Sequence, residues 1–135
     1  MYLLDTDICS YLMKRIHPAL IERVKDFSPQ ELKVSAVTVF ELEYGILRSA
    51  RREFLRRVVR EFLENVEILA WTAPAAVEAG AVRAELAAIG RPIGAYDMLI
   101  AGHARSLNAT LVTNNLEEFS RVSGLQLDDW VGAAE

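Results

Sequence analysis

With 135 residues, 52% of them hydrophobic, the chain has the size of one ordinary domain and enough apolar material for a single core, so one domain over residues 1–135 without a linker is expected. A net charge of −4 with 25% charged residues gives no global electrostatic case for nucleic acid, so any basic surface must be local. One cysteine excludes an internal disulfide, and with only two histidines it excludes the usual Cys/His zinc sites; "MYLLDTDICSYLMKR" has acids where a signal peptide has bases, so a cytoplasmic protein with no membrane span is expected.

Tyr2 to Leu4 is a short apolar run without polar alternation, as in a strand covered on both faces. Thr6 or Asp7 then caps a helix to about Arg15, and "HPALIERVKDF" starts another at Pro18. "LKVSAV" reads as a second strand, followed by the helix "AVTVFELEYGILRSA". "EFLRRVVREFLENV" is an amphipathic helix whose apolar stripe is Phe54, Leu55, Val58, Val59, Phe62 and Leu63. "EILAW" is a third strand. "APAAVEAGAVRAELAAIG" is a helix ended by Gly90, and "GAYDMLIAGHARSLN" is another ended near Asn108. "ATLVT" is a fourth strand and "LQLDDW" a short fifth. Strands alternating with helices predict an α/β fold, a central and mainly parallel sheet flanked by helices on both faces.

In open α/β sheets, ligands bind at the carboxyl ends of strands. Asp5 and Asp7 follow the first strand, and Thr113, Asn114 and Asn115 follow the fourth. Asp7 is the natural helix cap, whereas Asp5, at the end of a buried strand, must be desolvated or paired. The third helix carries Glu41 and Glu43. Glu41 shares a polar arc with Thr38, Gly45, Arg48 and Ser49, while Glu43 lies among Val39, Leu47 and Ala50, and periodicity does not choose between them. Gly45, one turn after Glu41, removes bulk where something is able to approach. Asp97 lies in the first turn of its helix with Ala101 and Ala104 above it, which reads as an open lane. If Asp5, Glu41 and Asp97 converge, the cluster is all oxygen and suits Mg²⁺ or Mn²⁺, and the natural reaction is hydrolysis of a phosphate ester. No Walker-type loop or dinucleotide fingerprint is present. Arg48, Arg52, Arg56 and Arg60 recur every four residues, with Arg51 and Arg57 beside them, and this stripe is a candidate guide for RNA.

"YLLDTDICSYL", "VSAVTVFELEYG", "RPIGAYDMLIAGHA" and "LVTNNLEEFSRVSGLQLDDW" resemble, in order and spacing, the PIN-domain ribonuclease toxins of the VapC type, over nearly the whole chain. The resemblance implies a PIN fold over 1–135 and an Mg²⁺- or Mn²⁺-dependent endoribonuclease that cuts RNA, with tRNA a plausible substrate, and so inhibits translation and growth. It also implies a prokaryotic cytoplasmic protein, a homodimer and a cognate VapB-type antitoxin. The family's metal-binding and catalytic acids match Asp5, Glu41 and Asp97, and Asp7 stands where an Asn or Asp often follows the first acid. Many members carry a fourth acid after the fourth strand, where this chain has Asn115; the supporting candidates there are Thr113, Asn115 and Glu118, with Glu117 near. Arg48, Arg52 and Arg56 are candidate RNA or partner contacts.

Two other readings compete. "LLDTD" looks like the DxD of haloacid-dehalogenase phosphatases, but that pattern needs a β-branched residue where Cys9 stands, and a lysine after Lys33, which this chain lacks. A non-catalytic PIN-like binding module is the other, and three retained acids argue against it.

Overall fold

The computed structural model describes residues 1–132. Five strands, β1 (Tyr2–Leu4), β2 (Leu32–Ser35), β3 (Glu67–Leu69), β4 (Thr110–Val112) and β5 (Gln126–Asp128), form one sheet in the order β3-β2-β1-β4-β5. Every pairing is parallel, with Leu4 level with Val34 on one side and Val112 on the other. The helices are α1 (Thr6–Lys14), α2 (Pro18–Val24), α3 (Ala36–Leu47), α4 (Arg52–Leu63), α5 (Ala73–Ala88), α6 (Ala95–Ser106) and α7 (Leu116–Phe119). Parallel strands need such crossovers, because a tight turn reverses the chain direction.

Successive strand residues serve opposite faces. Leu3 and Leu111 pack with Val82, Leu86, Ile100 and Ala104 of α5 and α6, whereas Leu4, Val34 and Val112 pack with Ile8, Cys9 and Leu20 of α1 and α2. All of these are buried, which is why the central strands read as unbroken apolar runs. A third cluster, Leu42, Ile46 and Val59 with Met13 and Leu55, joins α3 and α4 to α1. Helices α5 and α6 meet very closely: a Cβ on Gly102 would lie 2.5 Å from the Ala79 backbone, so only glycine fits there.

The element order expected from the sequence is present, with tighter boundaries. β2 stops at Ser35 because its hydroxyl accepts the Val37 N–H (3.0 Å) and caps α3. Gly90 and Asn108, both left-handed at φ 64° and 53°, follow α5 and α6. Two short elements lie outside those the sequence predicts: the 3-10 turn Pro29–Glu31, closed by Ser28 and Glu31, and α7. Neither is long enough to show a period.

Candidate active site

The chain leaves β1, adds β2 and β3 on one side, then crosses to place β4 and β5 on the other. The carboxyl ends of β1 and β4 therefore form the point where strand order reverses and a crevice opens. Asp5 sits there. Its N–H donates to the Val112 carbonyl (3.0 Å), and its Oδ1 accepts the Ile8 N–H (2.8 Å). Asp5 is thus the cap of α1, a role the sequence assigned to Thr6 or Asp7. The reason is conformational: Asp5 is extended (ψ 171°) and its carboxylate turns back onto the first turn, whereas Thr6 and Asp7 are already helical. Asp7 is exposed within that turn.

Asp5 is only 4% exposed. Burial raises its pKa from 3.8 to about 7, against hydrogen bonds from the Thr113 hydroxyl and the Ile8 amide that favour the anion; the charges of Asp7 and Asp97 push it further up. Thr113, fully buried after β4, also accepts the Asn115 N–H (2.9 Å).

The two glutamates of α3 part company. The Thr6 hydroxyl donates to Glu41 Oε1 (2.6 Å), and with its one proton so used it accepts from Thr38 (3.0 Å). Glu43 instead receives both arms of Arg56 (3.1 and 2.8 Å). Helix α6 brings Asp97 to the same crevice, half-buried in its first turn. Its pKa rises to about 6 through burial first, then the charges of Glu118, Glu41 and Asp7, and a hydrogen bond shared with Glu118. The open lane read above Asp97 is absent: Ala101 and Ala104 are fully buried in the core. Small side chains there serve close packing of the helix against the sheet.

Asn115 caps α7, its Oδ1 accepting the Glu118 N–H (3.4 Å), and Asn114 reaches Asp129 (3.2 Å). The negative charge facing Asp97 from this loop is carried by Glu118, whose Oε1 accepts the Gly94 N–H (3.4 Å). Five carboxylates, those of Asp5, Asp7, Glu41, Asp97 and Glu118, thus crowd one end of the sheet. None forms an ion pair with Lys, Arg or His among the described residues. Nor, among those residues, are three of them gathered into a ready-made coordination cluster. The same field reaches Cys9, whose thiol pKa is raised first by burial and then by Asp5.

The arginine stripe divides. Arg56 is held by Glu43, and Arg52 donates to the Leu47 carbonyl. Arg48, its guanidinium 5.2 Å from the Tyr44 ring centre, lines a groove of about 1350 Å³ that begins at Thr6, Asp7 and Glu41. Sequence reasoning missed Thr6 as the partner of Glu41, although it stands between the two opening acids. It also missed His103, fully buried in α6, whose Nδ1 meets Ser35 Oγ at 2.9 Å and ties α6 to the cap of α3; burial lowers its pKa.

The family model of the PIN domain matches residues 2–125. The chain is 41% identical over 129 residues to the tRNA(fMet)-specific endonuclease VapC of Shigella flexneri, covering 96% of this chain and 97% of that protein. It is 35% identical over 130 residues to ribonuclease VapC2 of Rickettsia felis, again covering 96% and 97%. Among solved structures, the DNA-bound VapBC of Salmonella typhimurium superposes with a TM-score of 0.90 at 39% identity, over 96% of this chain and 97% of that one.

Proposed function

The chain belongs to the PIN-domain family as a ribonuclease of the VapC type, and we propose that Asp5, Glu41 and Asp97 form its catalytic centre and hold a divalent cation, Mg²⁺ or Mn²⁺. The observation that carries this reading is the set of five carboxylates without a basic partner, two of them, Asp5 and Asp97, with pKa values raised to about 7 and about 6. Carboxyl groups that repel one another in a half-dry crevice await positive charge, and an all-oxygen donor set fits a hard cation. PIN-domain nucleases generally use divalent metal ions. Such an ion, when bound, supplies Lewis-acid activation of water and neutralises charge at the scissile phosphate.

The chain's own groups set the stage for that chemistry. Asp5 is fixed by the Ile8 amide and the Thr113 hydroxyl, so its carboxylate does not have to be ordered when the substrate arrives. Thr6, itself bonded to Thr38, holds one oxygen of Glu41. Asp97, its pKa raised by burial and by the charge of Glu118, lies where its carboxylate would orient a water or accept its proton.

RNA is the substrate, and tRNA is the class we favour, because the Shigella flexneri relative is named for a tRNA. A VapB-type antitoxin is the neutralising partner, as VapBC complexes from three bacteria share this fold at 34–39% identity. A second copy of the chain is a further partner, with the exposed Leu47 and Phe54 of α3 and α4 left over as apolar area for it. Among the described residues no helix is long and apolar enough to cross a membrane. The test is induced expression of wild type and Asp5→Asn, with sequencing of new RNA 5′ ends. Growth arrest and new ends only with the wild type support the reading; identical growth and ends with both overturn it. Antitoxin binding that survives Asp5→Asn while cleavage is lost separates catalysis from a pure binding role.

A further inference from the structure

We propose that Phe40 and Tyr96 form a stacking step that grips a nucleobase of the nucleotide next to the scissile phosphate. The inference rests on the ribonuclease reading above and adds a binding element to it. Each ring immediately precedes an acid of the centre, Phe40 before Glu41 on α3 and Tyr96 before Asp97 on α6. The fold brings the two rings together edge to face, with centroids 5.1 Å apart and planes 67° apart. Both remain half outside the protein, 53% and 46% exposed, and both line the groove that starts at Glu41.

An exposed aromatic pair is not a core in miniature. An edge-to-face contact uses the edge of one ring and one face of the other, so ring faces remain open. Phe40, Tyr96 and Glu41 line the same groove, so RNA lying along it meets the rings and Glu41 together. Every base has a π face, so stacking provides grip without reading sequence, as in proteins that bind single-stranded RNA. The stripe continues: Tyr44, one turn beyond Phe40 and 61% exposed, has the Arg48 guanidinium 5.2 Å from its ring centre. An aromatic ring with an adjacent arginine suits a second base and the phosphate between.

The test is a cycle between enzyme and substrate, in Mg²⁺. The probe is an oligoribonucleotide spanning a cleavage site mapped by sequencing, intact or with an abasic ribose beside the cleaved bond. We expect the abasic substrate to lower kcat/KM by roughly 10- to 100-fold with wild-type enzyme. Tyr96→Ala and Phe40→Ala lose a similar factor on intact RNA but little more on the abasic one, and Tyr96→Phe restores the rate. The Mg²⁺-induced rise in melting temperature stays as in the wild type. Equal cutting of intact and abasic RNA by the wild type overturns the proposal, and this arm needs no variant to fold. Losses that multiply overturn it as well. So do alanine variants that cut at the wild-type rate but lose self-association or antitoxin binding, since the rings would then be a protein contact. If the wild type cuts no RNA at all, the ribonuclease reading itself fails, and this inference falls with it.

Discussion

Replacing Asp5 by Asn should stabilise the metal-free protein, by an amount that depends on pH in a defined direction. Asp5 titrates near 7 in the folded chain against 3.8 for a free carboxyl. Folding therefore binds its proton more tightly, so the stability associated with the protonated group is complete below about pH 4 and is lost as pH rises through 7. Roughly three units at 1.36 kcal/mol each give about 4 kcal/mol, an upper bound because Asp5 is coupled to Asp7 and Asp97. Asparagine keeps an oxygen for the Ile8 amide and carries no charge. In EDTA at pH 8 the variant should therefore melt above the wild type by up to about 12 °C, taking about 3 °C per kcal/mol for a chain of this size. At pH 4.5 the two should nearly coincide. Saturating Mg²⁺ should then close most of that gap, since binding at 100 times Kd contributes about 2.7 kcal/mol to a wild type able to bind it. Calorimetry at the two pH values, with and without Mg²⁺, is the assay. A variant less stable than the wild type at pH 8 in EDTA, or a difference independent of pH, would refute the argument that Asp5 is held against its own desolvation.

Other outcomes follow from single contacts. Thr6→Val removes the hydroxyl that positions Glu41 and should lower kcat about 10-fold, with stability changed by only about 1 kcal/mol; an unchanged kcat would show that Glu41 needs no such support. Glu118→Gln removes the largest neighbouring charge on Asp97, so an NMR titration should find the Asp97 pKa moved down from about 6; no movement would mean the two carboxyls do not interact. Gly102→Ala forces a Cβ to within 2.5 Å of the Ala79 backbone and should cost about 1–3 kcal/mol in urea denaturation; a neutral result would mean that α5 and α6 separate freely.

The centre combines a rigid and an adjustable part. Asp5 and Glu41 are each tied by hydrogen bonds to buried or half-buried neighbours, whereas Asp97 is raised by burial and by the facing charge of Glu118. The price of keeping such acids close is borne by the metal-free state, which is why its stability should report on metal binding as directly as activity does.

The sequence by itself determined the element order, the α/β class and which apolar runs are buried, because unbroken runs at Tyr2–Leu4 and Thr110–Val112 and helical periodicity elsewhere depend on local spacing alone. It also placed Asp5 at a strand end and Asp97 in a first turn, since both positions follow from one element's boundary. Helical periodicity did not separate Glu41 from Glu43; the motif resemblance pointed to Glu41, and the tertiary structure gives the two different partners. On the helix both were equivalent candidates, and what separates them is the Thr6 hydroxyl from α1 and the Arg56 guanidinium from α4. Only the tertiary structure showed that Asp5 rather than Asp7 caps α1, that Glu118 supplies the charge Asn115 lacks, and that Phe40 meets Tyr96. Proton affinity, ion pairing and ring contact depend on distances between residues far apart in the chain. Those distances are set by strand order and helix packing, which no local pattern encodes.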